Sequence, residues 1–343
     1  MVKSEQEREK QCPTNFYTVR FKNMSIVHIY KNRNSVVTAG FICLNNETMG
    51  VNRFKRNIDN YADGPGVGGT RRRKTWVFSY NRSFNHDFGR ITGIAASSKG
   101  NIVLCDHNNN TLILVDNIGK YLTKLNVDSE PYDVAITSQN IGYITQPNTR
   151  SVLQIDPDRM VVLSKNTWNK LNTTVICATA FWQFCNFGVN FQGQSYIHNF
   201  SSLSAIGERV YTPGQLNIGS GVVKTHTIDG QTYFSCIGGQ NDITVRKQGT
   251  SYWNSVLENI PNIATIDTPT DICSDDNGHL YVSGQGSNNI HRLTQDGKVL
   301  DIPLHSQQGI IEPVAICFNK NYTKFYVVNE WENQFWSLMF INN

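Results

Sequence analysis

The sequence predicts an all-β chain, a six-bladed β-propeller with a short N-terminal extension. Three observations predict it: a unit that recurs without gaps, an interval that accommodates six copies, and short apolar runs bounded by turn formers. Residues 91–122 align with residues 269–300 at a constant shift of 178. Ile94 falls on Ile272, Gly100 on Gly278, Gly119 on Gly297, Lys120 on Lys298 and Leu122 on Leu300.

A further copy opens 40 residues after the first, where Pro131-Tyr132-Asp133-Val134-Ala135 matches residues 91–95, and another opens 44 residues after Pro269, at Pro313. The 138 residues from Pro131 to Pro269 leave room for two degenerate units, expected around residues 187–197 and 221–234. Six units of roughly 40 to 50 residues match the period of propeller blades.

Within a unit, runs such as residues 101–105 and 111–115 are β-branched or apolar and short. Lys99-Gly100, Asp229-Gly230, Asn277-Gly278 and Asp296-Gly297 supply the positive-φ residues that tight hairpins demand. A single blade cannot bury both faces, so a closed ring of six removes the exposed edges. Residues 75–80 are expected to lend a strand that pairs with residues 335–341 and closes that ring. The domain division is therefore 1–74 for the extension and 75–343 for the propeller.

Gly93-Ile94-Ala95, the run from Gly100 to Asp106, Asn109, Leu112 and Asp116-Asn117-Ile118-Gly119-Lys120 resemble the NHL repeat. Residues 287–293 and 315–321 further resemble the C-terminal propellers of invertebrate, notably molluscan, tripartite-motif proteins. The resemblance covers residues 75–343 and implies a propeller that recognises a protein partner, or in some members RNA. Such proteins carry a RING finger, B-boxes and a coiled coil ahead of the propeller. Residues 1–80 contain only Cys12 and Cys43 and no Cys-x-x-Cys pair, so no zinc finger is expected there.

Charge and composition bound the function. The 343 residues are 39% hydrophobic and 11% aromatic, enough for a sizeable core, and no run is long and apolar enough for a membrane helix. The first eleven residues have no apolar signal segment, which places the chain in the cytoplasm as an expectation. The eight cysteines are read as buried hydrophobes and the seven Asn-x-Ser/Thr sites as chance. Residues 1–80 hold 14 Lys+Arg against 6 Asp+Glu, while residues 81–343 hold 17 against 21. The run around Gly64 to Gly69 lacks the Gly-Lys-Ser/Thr ending of a phosphate loop and reads as a hinge. Arg71, Arg72, Arg73 and Lys74 after it are the candidate anion contact.

The expected function is a non-catalytic protein-binding platform, with no catalytic residue, cofactor or metal. Loops on one side of a propeller share a face, so the loops after each second strand are the expected binding surface. Asp106, His107, Asn108, Asn109, Gln146, Asn148, Gln285, Asn288, Glu330 and Trp331 stand there, expected to be exposed. RNA binding is the alternative, disfavoured by the acidic balance of the propeller. A metal-dependent hydrolase or lactonase ranks third, because the aligned loop positions offer too few His and carboxylates for a cation ring. His198, His226, His279, His291 and His305 share no repeat position and read as structural. Phe181-Trp182 and Trp336 read as blade core, with Trp331 the exposed exception.

Overall fold

A computed structural model describes residues 15–19, 27–31, 76–85, 87–168, 172–200, 216–241, 243–247, 256–259, 266–330 and 334–342. The chain divides into two compact units, residues 1–82 with 338–343 and residues 83–337. In the first, β1 (Asn15–Val19) and β2 (Val27–Lys31) form an antiparallel pair with Tyr17 opposite Ile29. Arg71 to Lys74, the candidate anion contact, lie outside the described residues.

Beyond β3 (Trp76–Asn85) come six four-stranded antiparallel blades. Blade 1 holds β4 (Ile91–Ala96), β5 (Ile102–Asp106), β6 (Thr111–Val115) and β7 (Tyr121–Asn126). Blade 2 holds β8 (Asp133–Ile136), β9 (Gly142–Gln146), β10 (Ser151–Asp156) and β11 (Val161–Thr167). Blade 3 is β12 (Thr173–Phe181), β13 (Phe184–Phe191), β14 (Gln194–Phe200) and β15 (Leu216–Gly219). Blade 4 is β16 (Val222–Thr227), β17 (Thr232–Ile237), β18 (Ile243–Lys247) and β19 (Val256–Asn259). Blade 5 is β20 (Pro269–Ser274), β21 (Leu280–Gly284), β22 (Asn289–Leu293) and β23 (Val299–His305). Blade 6 has the order β24 (Pro313–Phe318), β25 (Lys324–Asn329), β26 (Gln334–Asn342), β3, so a strand from the N-terminal side completes the sheet begun at the C-terminal end. The six-bladed β-propeller expected from the repeat is the observed fold, and the two degenerate units are blades 3 and 4.

Burial follows blade position. The middle strands β5 and β6 are buried along their whole length, because neighbouring blades cover both faces, and their sequences run apolar without alternation. The outermost strand β7 is mostly exposed. The core is thus a set of layers between blades: Val103, Leu112, Ile144 and Leu153 fill one between blades 1 and 2, and Ile102, Leu104, Tyr326 and Val328 another between blades 1 and 6. Between blades 5 and 6 the layer is aromatic, with Tyr281 at 5.1 Å from Phe318 and 5.5 Å from Phe325. Each such side chain contributes roughly 1.5–3 kcal/mol on burial. The hairpin glycines Gly100, Gly230, Gly278 and Gly297 have φ of 85°, 73°, 75° and 81°, as their turns require. Among the described residues no helix is long and apolar enough to cross a membrane.

Candidate functional site

The innermost strand of five of the blades carries one irregularity at a common position. The pairing slips between Ile91 and Gly93, Val175 and Cys177, Val222 and Lys224, Pro269 and Asp271, and Pro313 and Ala315. The residues just after the slip are Gly93, Cys177, Lys224, Asp271 and Ala315, and Asp133, the first paired residue of β8, is their counterpart in blade 2. A bulge of this kind re-aims a side chain. Three charged groups meet at this position, two of them following a slip: Lys224 donates to Asp133 and also pairs with Asp271 at 3.2 Å.

The two carboxylates are alike in every other contact. Asp133 accepts from the Val134 amide at 2.7 Å and from Ala178 of blade 3 at 2.9 Å. Asp271 accepts from Ile272 at 2.7 Å and from Ile316 of blade 6 at 2.8 Å. Facing residues repeat too, since the Asp133 amide donates to Thr145 Oγ1 at 3.1 Å and the Asp271 amide to Ser283 Oγ at 2.8 Å. Blades 2 and 5 therefore present the same device, and Lys224 from blade 4 neutralises one charge of the two. Burial alone would lower the Lys224 pKa, but the two carboxylates overcome it and hold the ammonium well above its usual range. Burial pushes Asp271 up to about 6, with Lys224 opposing. Gly93 completes the ring where a side chain does not fit: a Cβ there would stand 2.9 Å from Asp133 Cα.

A channel of ≈560 Å³ runs beside this cluster, within the size range of small-molecule sites. Lys224 and Asp271 line it together with Thr225, His226, Ser274 and Thr179, as do Ile94, Ala96, Val134, Ala135 and Ile316. His226 Nε2 and Ser274 Oγ share a hydrogen bond of 2.9 Å. Burial, assisted by the Lys224 ammonium, pulls His226 down to about 4, so the imidazole is uncharged at neutral pH. Trp182 lines the channel from the loop after β12 and is 75% exposed. Its carbonyl accepts from the Ser138 amide at 2.7 Å, which ties the loop to blade 2.

The residues expected on a binding face lie elsewhere. None of those described lines the channel, whose loop residues Ser98, Ser138, Trp182 and Asn319 follow first strands rather than second strands. Asp106 and Gln146 are buried, which corrects the expectation that they stand exposed. Asp106 holds its turn, accepting from Gly89 N at 3.0 Å and from Asn109 N at 3.2 Å and Nδ2 at 2.9 Å. Gln146 donates to Ser129 O at 2.9 Å and accepts from Ser151 Oγ at 3.0 Å. Gln285 donates to Glu330 at 2.5 Å, Asn288 Oδ1 accepts from Glu312 N at 2.8 Å, and His107 packs edge-on to Tyr132. Asn108 and Asn148 are exposed, and Trp331 lies outside the described residues. Trp182 is not blade core, which differs from the sequence expectation, and His226 is hydrogen-bonded to Ser274 on the channel wall.

The sequence carried a signal for the charged ring. Pro131-Tyr132-Asp133-Val134 and Pro269-Thr270-Asp271-Ile272 put an acid at one repeat position, on the strand nearest the axis. Among the described residues no group of three His, Cys, Asp or Glu is placed to hold a metal ion. In the ring, the position between the two acids is taken by the Lys224 ammonium.

No known family and no curated protein matches the chain. Solved structures do. A gluconolactonase from Xanthomonas campestris matches with a TM-score of 0.58 at 12% identity, over 77% of this chain and 90% of that one. A luciferin-regenerating enzyme matches with 0.54 at 10%, over 74% and 92%. Virginiamycin B lyase from Staphylococcus aureus matches with 0.51 at 16%, over 78% and 100%. At these identities the likeness shows the fold. The propellers named are enzymes, a finding that runs against the expectation of a non-catalytic binding platform without enzyme activity, which is not retained.

Proposed function

We propose that the chain is a hydrolase that opens a small ester or lactone in the channel, by proton transfer rather than at a metal centre. The observation that carries this reading is the uncharged His226 hydrogen-bonded to the Ser274 hydroxyl on the channel wall. With the imidazole proton on Nδ1, the Ser274 hydroxyl donates to Nε2, the arrangement from which a serine oxygen attacks a carbonyl. The bond formed is Ser274 Oγ to the acyl carbon; the bond broken is the ester C–O. The serine proton passes to His226 and from it to the leaving oxygen. Water then cleaves the acyl-serine, giving up its proton through the same imidazole, and the ester becomes an acid and an alcohol.

The surroundings support the assignment. Burial, and after it the Lys224 ammonium, lower the His226 pKa, so the ring stays unprotonated through the neutral range. Support also comes from the company the fold keeps, which includes a gluconolactonase and a lyase. The metal-dependent form of this reading finds no ligand set among the described residues.

The test is a panel of 4-nitrophenyl esters and simple lactones assayed with the purified chain, with His226→Gln and Ser274→Ala alongside. Turnover that falls at least about a hundredfold in both variants, with melting unchanged, is the expected result for a nucleophile and its base. Turnover equal in parent and variants overturns the assignment, as does no turnover of any member.

A further inference from the structure

The channel lining stops at the charged ring on every blade. Ile94, Val134, Ala178, Thr225, Ile272 and Ile316, each one place beyond the ring, line it, and so do Lys224 and Asp271 of the ring itself. The residues one place before the ring, Thr92, Tyr132, Ile176, Val223, Thr270 and Val314, do not. In the other direction the lining runs out to Ser98, Ser138, Trp182 and Asn319, in the loops after the first strands. The ring is therefore the floor of the channel, and those loops are its mouth.

Lys224 is what closes the floor. Inner strands neighbour one another in blade order, round to β24 against β4. The ammonium from blade 4 reaches past blade 3 to Asp133 of blade 2, and it also pairs with Asp271 of blade 5. All three side chains are buried, and each carboxylate is held in addition by two backbone amides. A chain pressing on this floor would have to part a buried ion pair, which costs far more than a methylene gains on burial.

The strands set the height of the reacting pair. His226 stands two residues beyond Lys224 on β16, and Ser274 three beyond Asp271 on β20. At a strand's rise per residue the pair lies roughly 7–10 Å above the floor. Contact with the floor atoms takes about 3.5–4 Å of that height. What remains, about 3–6 Å, holds roughly three to five bonds of an extended chain.

A single mouth also fixes which half of an ester lies where. In the proposed reaction the alcohol departs while the acyl group is still bonded to Ser274 Oγ, and water must then reach the same carbon. Alcohol and water both pass the mouth, so the alcohol half lies on the mouth side and the acyl half on the floor side.

We infer that Lys224, held across the axis by its two carboxylates, determines acyl specificity: the channel takes esters of short acids, of up to about six carbons, whose alcohol half extends toward the mouth. The inference deepens the esterase reading and rests on it for turnover. The floor itself is measurable without turnover, through binding to Ser274→Ala, which forms no acyl-serine.

The probes are octyl acetate and ethyl octanoate, isomers that differ in which side of the carbonyl carries the long chain. Binding to Ser274→Ala is followed by equilibrium dialysis, and turnover by the full chain in a pH-stat. Octyl acetate is expected to bind at least about tenfold more tightly and to be the isomer hydrolysed. In a series of ethyl esters, a channel open at both ends would gain about fourfold in affinity per added methylene. The floor ends that gain by the hexanoate and reverses it by the octanoate.

Two variants, each added to Ser274→Ala, move the limit in opposite directions. Lys224→Ala deepens the channel and should bring ethyl octanoate within about twofold of octyl acetate, with its melting temperature checked because a buried pair is lost. Ala95→Leu leaves that pair intact: Ala95 lines the channel on the blade opposite His226, two places beyond the ring as His226 is. It should weaken ethyl hexanoate at least about fivefold more than octyl acetate. The inference is overturned if the isomers bind alike, if ethyl octanoate binds more tightly, or if Ala95→Leu weakens both esters equally or neither. Preference for octyl acetate in binding with no turnover of either isomer removes the catalytic reading alone; equal turnover of the two removes the floor alone. Binding of neither isomer removes both.

Discussion

Lys224 and Asp133, 91 residues apart in the chain, are joined in an ion pair at the centre of the propeller, one from blade 4 and the other from blade 2. Asp133 also holds blade 3 through Ala178, and Asp271, the second partner of Lys224, holds blade 6 through Ile316. One ammonium therefore links five of the six blades. Breaking a buried pair by removing one partner leaves charge uncompensated, which costs about 3–5 kcal/mol.

Lys224→Met is accordingly expected to lose stability by about that amount at pH 8. With the cation gone, Asp271 loses the charge that opposes its burial, so its carboxyl is held further above the unfolded value. Its protonated form then stabilises the fold at low pH, and that contribution is lost as pH rises. Urea titrations should find a smaller deficit at pH 5 than at pH 8. Equal deficits at the two pH values would count against the ion pair as the cause.

Asp106 is buried and holds three hydrogen bonds at the turn after β5, whereas Asn148, at a neighbouring place on the next blade's turn, is exposed. Asp106→Ala is expected to cost about 2 kcal/mol, the penalty for orphaning the amides it serves. Asn148→Ala should stay within about 0.5 kcal/mol of the parent. Chemical denaturation of the two variants checks this. If both were neutral, the buried carboxylate would hold nothing.

The contrast between those two residues shows why the fold was legible and the site was not. Blade number follows from spacing alone, and the apolar runs of β5 and β6 announce strands covered on both faces. A repeat-to-repeat comparison also finds the loops that vary, but variation does not distinguish a solvated turn from one whose polar side chain folds back, as Asp106 and Gln146 do. The charged ring was present in the alignment as Asp133 and Asp271. Its meaning depended on Lys224, which sits in a degenerate unit where no gapless alignment reached, and on a bulge that no propensity predicts. Trp182 and His226 share no repeat position with a like residue, so the one read as core and the other as a structural histidine, and only the folded chain puts both on the channel wall.

Thiol chemistry offers a check on the interior. Cys105, Cys177, Cys185, Cys236 and Cys317 are free and buried. Burial, with the Asp133 carboxylate adding to it, pushes Cys177 up to about 12, and burial likewise raises the others. The reactive species is the thiolate, so iodoacetamide at pH 8 should leave these five unlabelled in the native chain and modify all of them in urea. Peptide mass spectrometry reads each site separately. Rapid native labelling of Cys177 would show that the interior around Asp133 opens to solvent.

His226 supplies a pH dependence whose sign can be worked through. Its folded pKa is about 4, against 6.5 in the unfolded chain, because burial and then Lys224 disfavour the charged ring. The folded state binds the proton less tightly, so the contribution of His226 to stability is fully present above pH 6.5 and is lost as pH falls through 4. Over that interval the loss amounts to about 3 kcal/mol. Asp271 works the other way: its folded pKa of about 6 lies above the usual 3.8, so its contribution is fully present below 3.8 and disappears as pH rises through 6. The two partly cancel in the parent's curve. A difference measurement separates them, since His226→Gln removes one titration and keeps the other. Between pH 7 and pH 4 the parent should lose about 3 kcal/mol relative to His226→Gln, most of it between 6.5 and 4.5. A flat difference would mean that the imidazole takes up its proton in the fold as readily as in water, and the uncharged base on which the proposed chemistry rests would be lost in mildly acidic solution.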